Sequence, residues 1–178
     1  VNYLFPVLEY HDRWKSVTLS ELMGKQQKPW HDSGKGYRYS GDRVAYKGDD
    51  YMAETKEKEE IDAIAMKSLD QFVEICQEAG IQVMFVEMPS ANSWNMARHR
   101  AVADYALSRN ISFIDFNMKD RMKETGFDWM TDSRDGGNHL NYSGAKKISV
   151  WLGNYLVKDY QLEDLRKDSR YQRWQQDV

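Results

Sequence analysis

With 178 residues, 41% of them hydrophobic and 13% aromatic, the chain is long enough for one folded domain and too apolar for an intrinsically disordered one. Its 25 basic and 28 acidic residues leave a net charge of −3, which excludes a strongly basic nucleic-acid module. The single cysteine, Cys76, excludes an internal disulfide framework and a thiolate zinc cluster, and no apolar run is long enough to span a bilayer.

Residues 1–55 read as irregular. The start, Val1-Asn2-Tyr3-Leu4-Phe5-Pro6, is no signal peptide, and because translation begins at Met the chain is expected to be processed or part of a longer polypeptide. Trp14 to Met23 could form a helix, and Tyr37 to Tyr46 reads as two short strands around a Gly41-Asp42 turn. From residue 56 to 158 the pattern sharpens into the core of the domain. Ile61, Ile64, Ala65, Leu69, Phe72, Val73 and Cys76 recur at helical spacing, and Gly80 stops that helix. Ile81 to Met88 is a near-continuous apolar run that suits a buried strand ended by Pro89. Ser90 to Arg109 is a loop passing into a helix with Ala97, Ala101, Tyr105 and Ala106 inward, and His99 rides on that helix in a structural position. Ile111 to Phe116 is a second strand. A loop from Asn117 to Tyr142 leads to a last helix, Ser143 to Lys158, with Ser143 as its N-cap. Residues 159–178 are mostly charged and read as a tail. The order of elements indicates βα units and a parallel sheet. Two strands alone do not make a stable parallel sheet, so further strands are expected upstream of Val1.

The chemistry-bearing stretch is Asp132-Ser133-Arg134-Asp135-Gly136-Gly137-Asn138-His139-Leu140-Asn141. A carboxylate shortly before a His, in a loop that opens a helix, can fix the imidazole tautomer and stabilise the imidazolium formed when His takes a proton. The Gly-Gly pair permits a path tight enough to fold Asp135 back onto His139, with Asp132 as the other carboxylate in reach. The plainer interpretation is a helix-entry loop in which His139 and Asn141 cap backbone groups. The loop after the first strand, Pro89 to Asn95, sits where open α/β sheets bind ligands. There Ser90, Asn92 and Asn95 offer hydrogen bonds and Trp94 a flat face for a sugar or acyl group, unless Trp94 is core. His11-Asp12 and His31-Asp32 lack the spacing of a metal site, and Ser33-Gly34-Lys35-Gly36 is not a phosphate-binding loop.

The block Asp135 to Ala145 resembles the last conserved block of the SGNH (GDSL-like) hydrolases, which holds their catalytic Asp and His. Met88 to Asn95, with Ala97-Arg98-His99, is similar to a loop of bacterial SGNH-like proteins of cell-envelope polymer acylation, and the opening Leu4 to Trp14 is similar to a segment in the middle of those longer chains. The chain departs from the family twice. The family's spacing is Asp-x-x-His, whereas the residue three before His139 is Gly136, so the partner carboxylate stays open between Asp135 and Asp132. The Gly-x-Ser nucleophile block is absent, its nearest imitation being Tyr39-Ser40-Gly41-Asp42.

What the resemblance implies is a three-layer α/β/α, flavodoxin-like domain, here incomplete. The implied parent is an ester hydrolase or O-acyl (acetyl) transferase acting on carbohydrate or an acylated envelope polymer outside the cytoplasmic membrane. A serine upstream of Val1 would attack, His139 would be its base, and Asp135 or Asp132 would orient the base; this chain alone would be soluble and inactive. Ser90, Asn92, Trp94, Asn95 and Asn141 would meet the substrate, and neither cofactor nor metal is called for. Partners would be the polymer, the missing N-terminal part, or a membrane acyltransferase, and no nucleic acid. The rival reading is a non-catalytic carbohydrate-binding or assembly module using Trp94, Trp129 and the tyrosines as stacking surfaces.

Overall fold

Two four-residue strands, Met84–Glu87 (β1) and Ser112–Asp115 (β2), pair in parallel, with Met84 opposite Ser112 and Glu87 opposite Asp115. The period of two along a strand sends alternate side chains to opposite faces. Phe85 and Phe113 pack on one side with Val73, Tyr105, Ala106 and Ile111. On the other side Met84, Val86 and Ile114 join Phe116, Phe127 and Ile148. The computed structural model describes residues 38–172, and its elements lie in the compact unit Tyr39–Leu165, apart from two short 3-10 turns at Leu165–Lys167 and Ser169–Tyr171. The helix expected at Trp14 to Met23 lies outside the described residues. So do the two His-Asp pairs and the opening Leu4 to Trp14.

Among the described residues four helices flank the sheet. Helix α1, Ala63–Glu78, is capped by Asp62, whose carboxylate accepts from the N–H groups of Ile64 and Ala65, and it stops before Gly80 at φ +69°. Helix α2, Met96–Ser108, is capped by Asn95. Helix α3, Lys119–Thr125, ends at a left-handed Gly126, and helix α4 runs Tyr142–Tyr160. Tyr105 of α2 and Val73 of α1 belong to the first core, while Ile148, Trp151 and Tyr155 of α4 belong to the second. The chain is therefore a mixed α/β structure, with a small parallel sheet covered by helices on both faces.

Four expectations are corrected. Residues 39–46 form no hairpin. Their backbone bonds go instead to the loop before α4: Val44 N–H donates to the Ser133 carbonyl (2.9 Å) and Tyr46 N–H to that of Trp129 (3.2 Å). Only part of the apolar arc of α1 is covered, since Val73 is buried whereas Ile64 and Phe72 are 77% and 54% exposed. The stretch expected as a continuous loop from Asn117 to Tyr142 contains α3. The N-cap of α4 is Asn141, not Ser143, its side chain accepting from Gly144 N–H.

Candidate active site

Ser133 organises the loop that carries the candidate base. Its buried hydroxyl accepts from the backbone N–H groups of Asp135 (3.3 Å), Gly136 (2.9 Å) and Gly137 (3.1 Å), and donates to the His139 carbonyl (3.3 Å). Arg134 N–H also donates to the His139 carbonyl (3.1 Å), so Ser133 and Leu140 close the loop as an antiparallel bridge. The path between them needs Gly136 and Gly137. Gly137 has φ +137°, and a Cβ there would press into the Asn92 side chain at about 2.8 Å.

Asp135 folds back over this turn. One carboxylate oxygen accepts from the N–H groups of Asn138 (3.0 Å) and His139 (2.9 Å), and the other lies 2.5 Å from His139 Nδ1. Partial burial pushes the Asp135 carboxyl up. Hydrogen bonds from the His139 ring and from the backbone of His139 and Asn138 outweigh it and hold the group at about 2. An ionised partner at Nδ1 keeps the proton there, which leaves Nε2 of the neutral ring with its lone pair. The His139 side chain is 59% exposed, so that lone pair belongs to a reachable ring. Spacing of four rather than three therefore still closes an Asp–His pair, because two glycines shorten the path.

Asp132 does not take that role. It is fully buried, its carboxylate 2.7 Å from Lys147 Nζ and accepting from Asp128 N–H (2.8 Å). Burial alone would raise its carboxyl, but these bonds hold it below the usual range. Asn141 is likewise committed to structure: its amide donates to the carbonyls of Thr131 (2.7 Å) and Asp42 (3.0 Å) while its oxygen caps α4.

The loop after β1 lies against the His139 loop. Asn92 N–H donates to the Gly137 carbonyl (3.1 Å), and the exposed Asn92 amide reaches the Gly136 carbonyl (3.5 Å). Ser90 shares a hydrogen bond with the Ser93 hydroxyl, and the Asn95 oxygen caps α2 by accepting from Arg98 N–H (2.9 Å). Trp94 is half-buried, and its indole N–H donates to Asp115 (2.9 Å). Among the described residues no hydrogen bond joins a serine hydroxyl to the His139 ring, and no group of three or more His, Cys, Asp or Glu is gathered to hold a metal ion.

Sequence reasoning missed a second Asp–His pair beneath this loop. Asp115, at the end of β2, lies 2.6 Å from His99 Nδ1 and accepts from Trp94 on the same oxygen. Its other oxygen accepts from the Asn117 backbone (2.8 Å) and side-chain amide (2.8 Å). Burial opposes its ionisation, but bonds from His99, Asn117 and Trp94 prevail and lower the carboxyl. Beside it, burial and the Asp115 charge raise the Glu87 carboxyl. Asn117 extends the network, its oxygen accepting from Ser90 N–H (2.9 Å) and the Tyr51 hydroxyl (3.0 Å). Asp115 thus ties α2 and both post-strand loops together; the strand-end Asp and the helix His were its signal, but 16 residues separate them.

No family model matches the chain, and no curated protein or solved structure shows significant similarity to it. Among the described residues no helix is long and apolar enough to cross a membrane.

Proposed function

We propose that the chain is the base-bearing part of an SGNH-type ester hydrolase or O-acyl transferase of three-layer, flavodoxin-like architecture. The observation that supports this most is the pairing of the exposed His139 ring with Asp135, 2.5 Å apart at Nδ1. In this reading a serine from outside the described residues attacks the acyl carbonyl. Its proton passes to His139 Nε2, and Asp135 holds the imidazolium that forms. His139 then returns the proton to the departing alcohol, and a water or an acceptor hydroxyl takes the acyl group from serine. The substrate is an acetyl ester on carbohydrate or an envelope polymer, and the site of action lies outside the cytoplasmic membrane. An upstream part of the polypeptide or a membrane acyltransferase is the natural partner.

A second reading, a glycan-binding module without chemistry, is favoured by one observation: no described serine bonds to the His139 ring. Acetyl-ester hydrolysis by the longest natural polypeptide containing this chain separates the two. His139→Ala is expected to lower kcat/KM about 10²–10⁴-fold, the usual contribution of a positioned base. Turnover unchanged in His139→Ala overturns the catalytic reading.

A further inference from the structure

We propose that the cavity walled by Tyr46, Tyr51 and Trp129 is a subsite for one sugar ring of the substrate; the inference rests on the carbohydrate part of the reading above, not on its acyl chemistry. The cavity encloses about 260 Å³. Ring centroids stand 5.8 Å apart for Tyr46–Tyr51, 5.5 Å for Tyr46–Trp129 and 5.9 Å for Tyr51–Trp129, with interplanar angles of 84°, 50° and 82°. The three rings therefore form a walled corner and not a parallel stack.

The polar groups of that wall are spent. The Tyr51 hydroxyl accepts from Trp129 Nε1 (3.2 Å) and donates to the buried Asn117 (3.0 Å), so the wall presents carbon to an occupant. Met122 adds to the apolar wall, and the polar groups gather at the lip, where Lys119 pairs with Asp50 at 2.7 Å and both side chains are half-exposed or more. A pyranose has this same division: its C–H face suits aromatic carbon, and its hydroxyls suit charged and amide groups at an edge. A simple alkyl chain would cover the wall but make no use of the charged lip.

The site is built before any ligand arrives. The Tyr46 hydroxyl donates to the Asp49 carbonyl (3.1 Å), fixing the ring over Gly48, where a Cβ would overlap the ring itself. One lining residue, Asn117, also belongs to the network beneath the candidate active site. Trp129 precedes His139 on the same stretch between α3 and α4, and Asn117 joins Tyr51 to the Ser90 loop at the carboxyl ends of the strands.

The test is titration of the 178-residue chain with cellotetraose and with chitotetraose, read by the Trp129 indole N–H resonance, with hexanoate as the apolar control. At least one oligosaccharide is expected to shift that resonance saturably. Tyr46→Ala and the milder Gly48→Ala, which keeps every ring but displaces one, should each weaken binding at least tenfold in folded protein, while Leu107→Ala, at an exposed position outside the cavity, leaves it unchanged. No shift with either sugar, or a shift with hexanoate alone, overturns the subsite. Sugar binding without ester turnover in the full polypeptide keeps the subsite and removes the acyl chemistry. Ester turnover with no sugar response does the reverse.

Discussion

The Asp135 carboxylate accepts three hydrogen bonds within one turn, and that arrangement makes stability depend on acidity. Its carboxyl titrates at about 2 in the folded chain against 3.8 for the unperturbed group. Between those values the unfolded state binds more protons. The contribution is therefore fully present above the unfolded value and is lost as the pH falls through the folded one. Asp115 and Asp132 are lowered as well, so acid sensitivity by itself would not identify Asp135. The difference between wild type and Asp135→Asn isolates it. In urea titrations the stability gap between the two is expected to be largest near neutrality and to shrink as pH drops from 4 toward 2, by a margin trimmed because the side chain is one-third exposed. A gap independent of pH would show that the folded chain does not favour the ionised form. The pairing with His139 was legible in the sequence as an acid before a His across two glycines. The choice of Asp135 over Asp132 was not, because it depends on Lys147, 15 residues beyond Asp132 and on another element, neutralising the competitor.

At the scale of elements, the entry to α4 holds the site in place. Asn141 caps the helix and at the same time donates to Thr131 and Asp42, so one buried amide joins three segments. Asn141→Ala removes the cap and leaves two carbonyls without that donor, and should cost about 2–4 kcal/mol. Asn141→Asp retains the capping oxygen and loses both donations, so it should recover only part of the loss. Chemical denaturation of the two variants checks this, and equal stability of Asp and Ala would mean that the donations, not the cap, dominate. Local patterns made the main elements readable: helical spacing for α1, α2 and α4, apolar runs for both strands, and Gly80 as a stop. They failed where partners are remote. Residues 39–46 alternate like a hairpin, yet Val44 bonds to Ser133 and Tyr46 to Trp129, pairings that no local period encodes. Helix α3 was lost because its seven residues carry no apolar stripe, although Asp120 in its first turn and Gly126 at its end mark the limits.

At the scale of the molecule, the two parallel strands among the described residues cannot hold a sheet by their own hydrogen bonds, so this part of the fold depends on the two apolar layers pressed against it. Val73, fully buried, anchors the α1–α2 layer, and Ile148, 2% exposed, anchors the α4 layer. Ile64 and Phe72 of α1 stay outside both layers, although helical spacing groups them with Val73, and Ile75 is exposed as well; contact with α2 and the sheet, not periodicity, selected the buried part. This predicts a sharp contrast. Ile148→Ala should cost about 2–5 kcal/mol and Val73→Ala about 1–3 kcal/mol, while Ile75→Ala, at a position 65% exposed, should stay within about 0.5 kcal/mol of wild type. The sheet separates Val73 from Ile148, so they share no packing neighbour in either cluster. If both layers melt with the sheet in one transition, the double variant should equal the sum of the singles within about 0.5 kcal/mol. Denaturant unfolding followed by the fluorine resonances of 5-fluorotryptophan at Trp129 and Trp151 and by far-ultraviolet circular dichroism measures both quantities. Those two resonances report on the α4 layer, whereas circular dichroism reports on all helices. Coincident curves with additive losses would establish a single cooperative unit. Curves that separate, with Val73→Ala shifting only the dichroism, would mean that the α1–α2 layer detaches while the His139 side of the molecule stays folded.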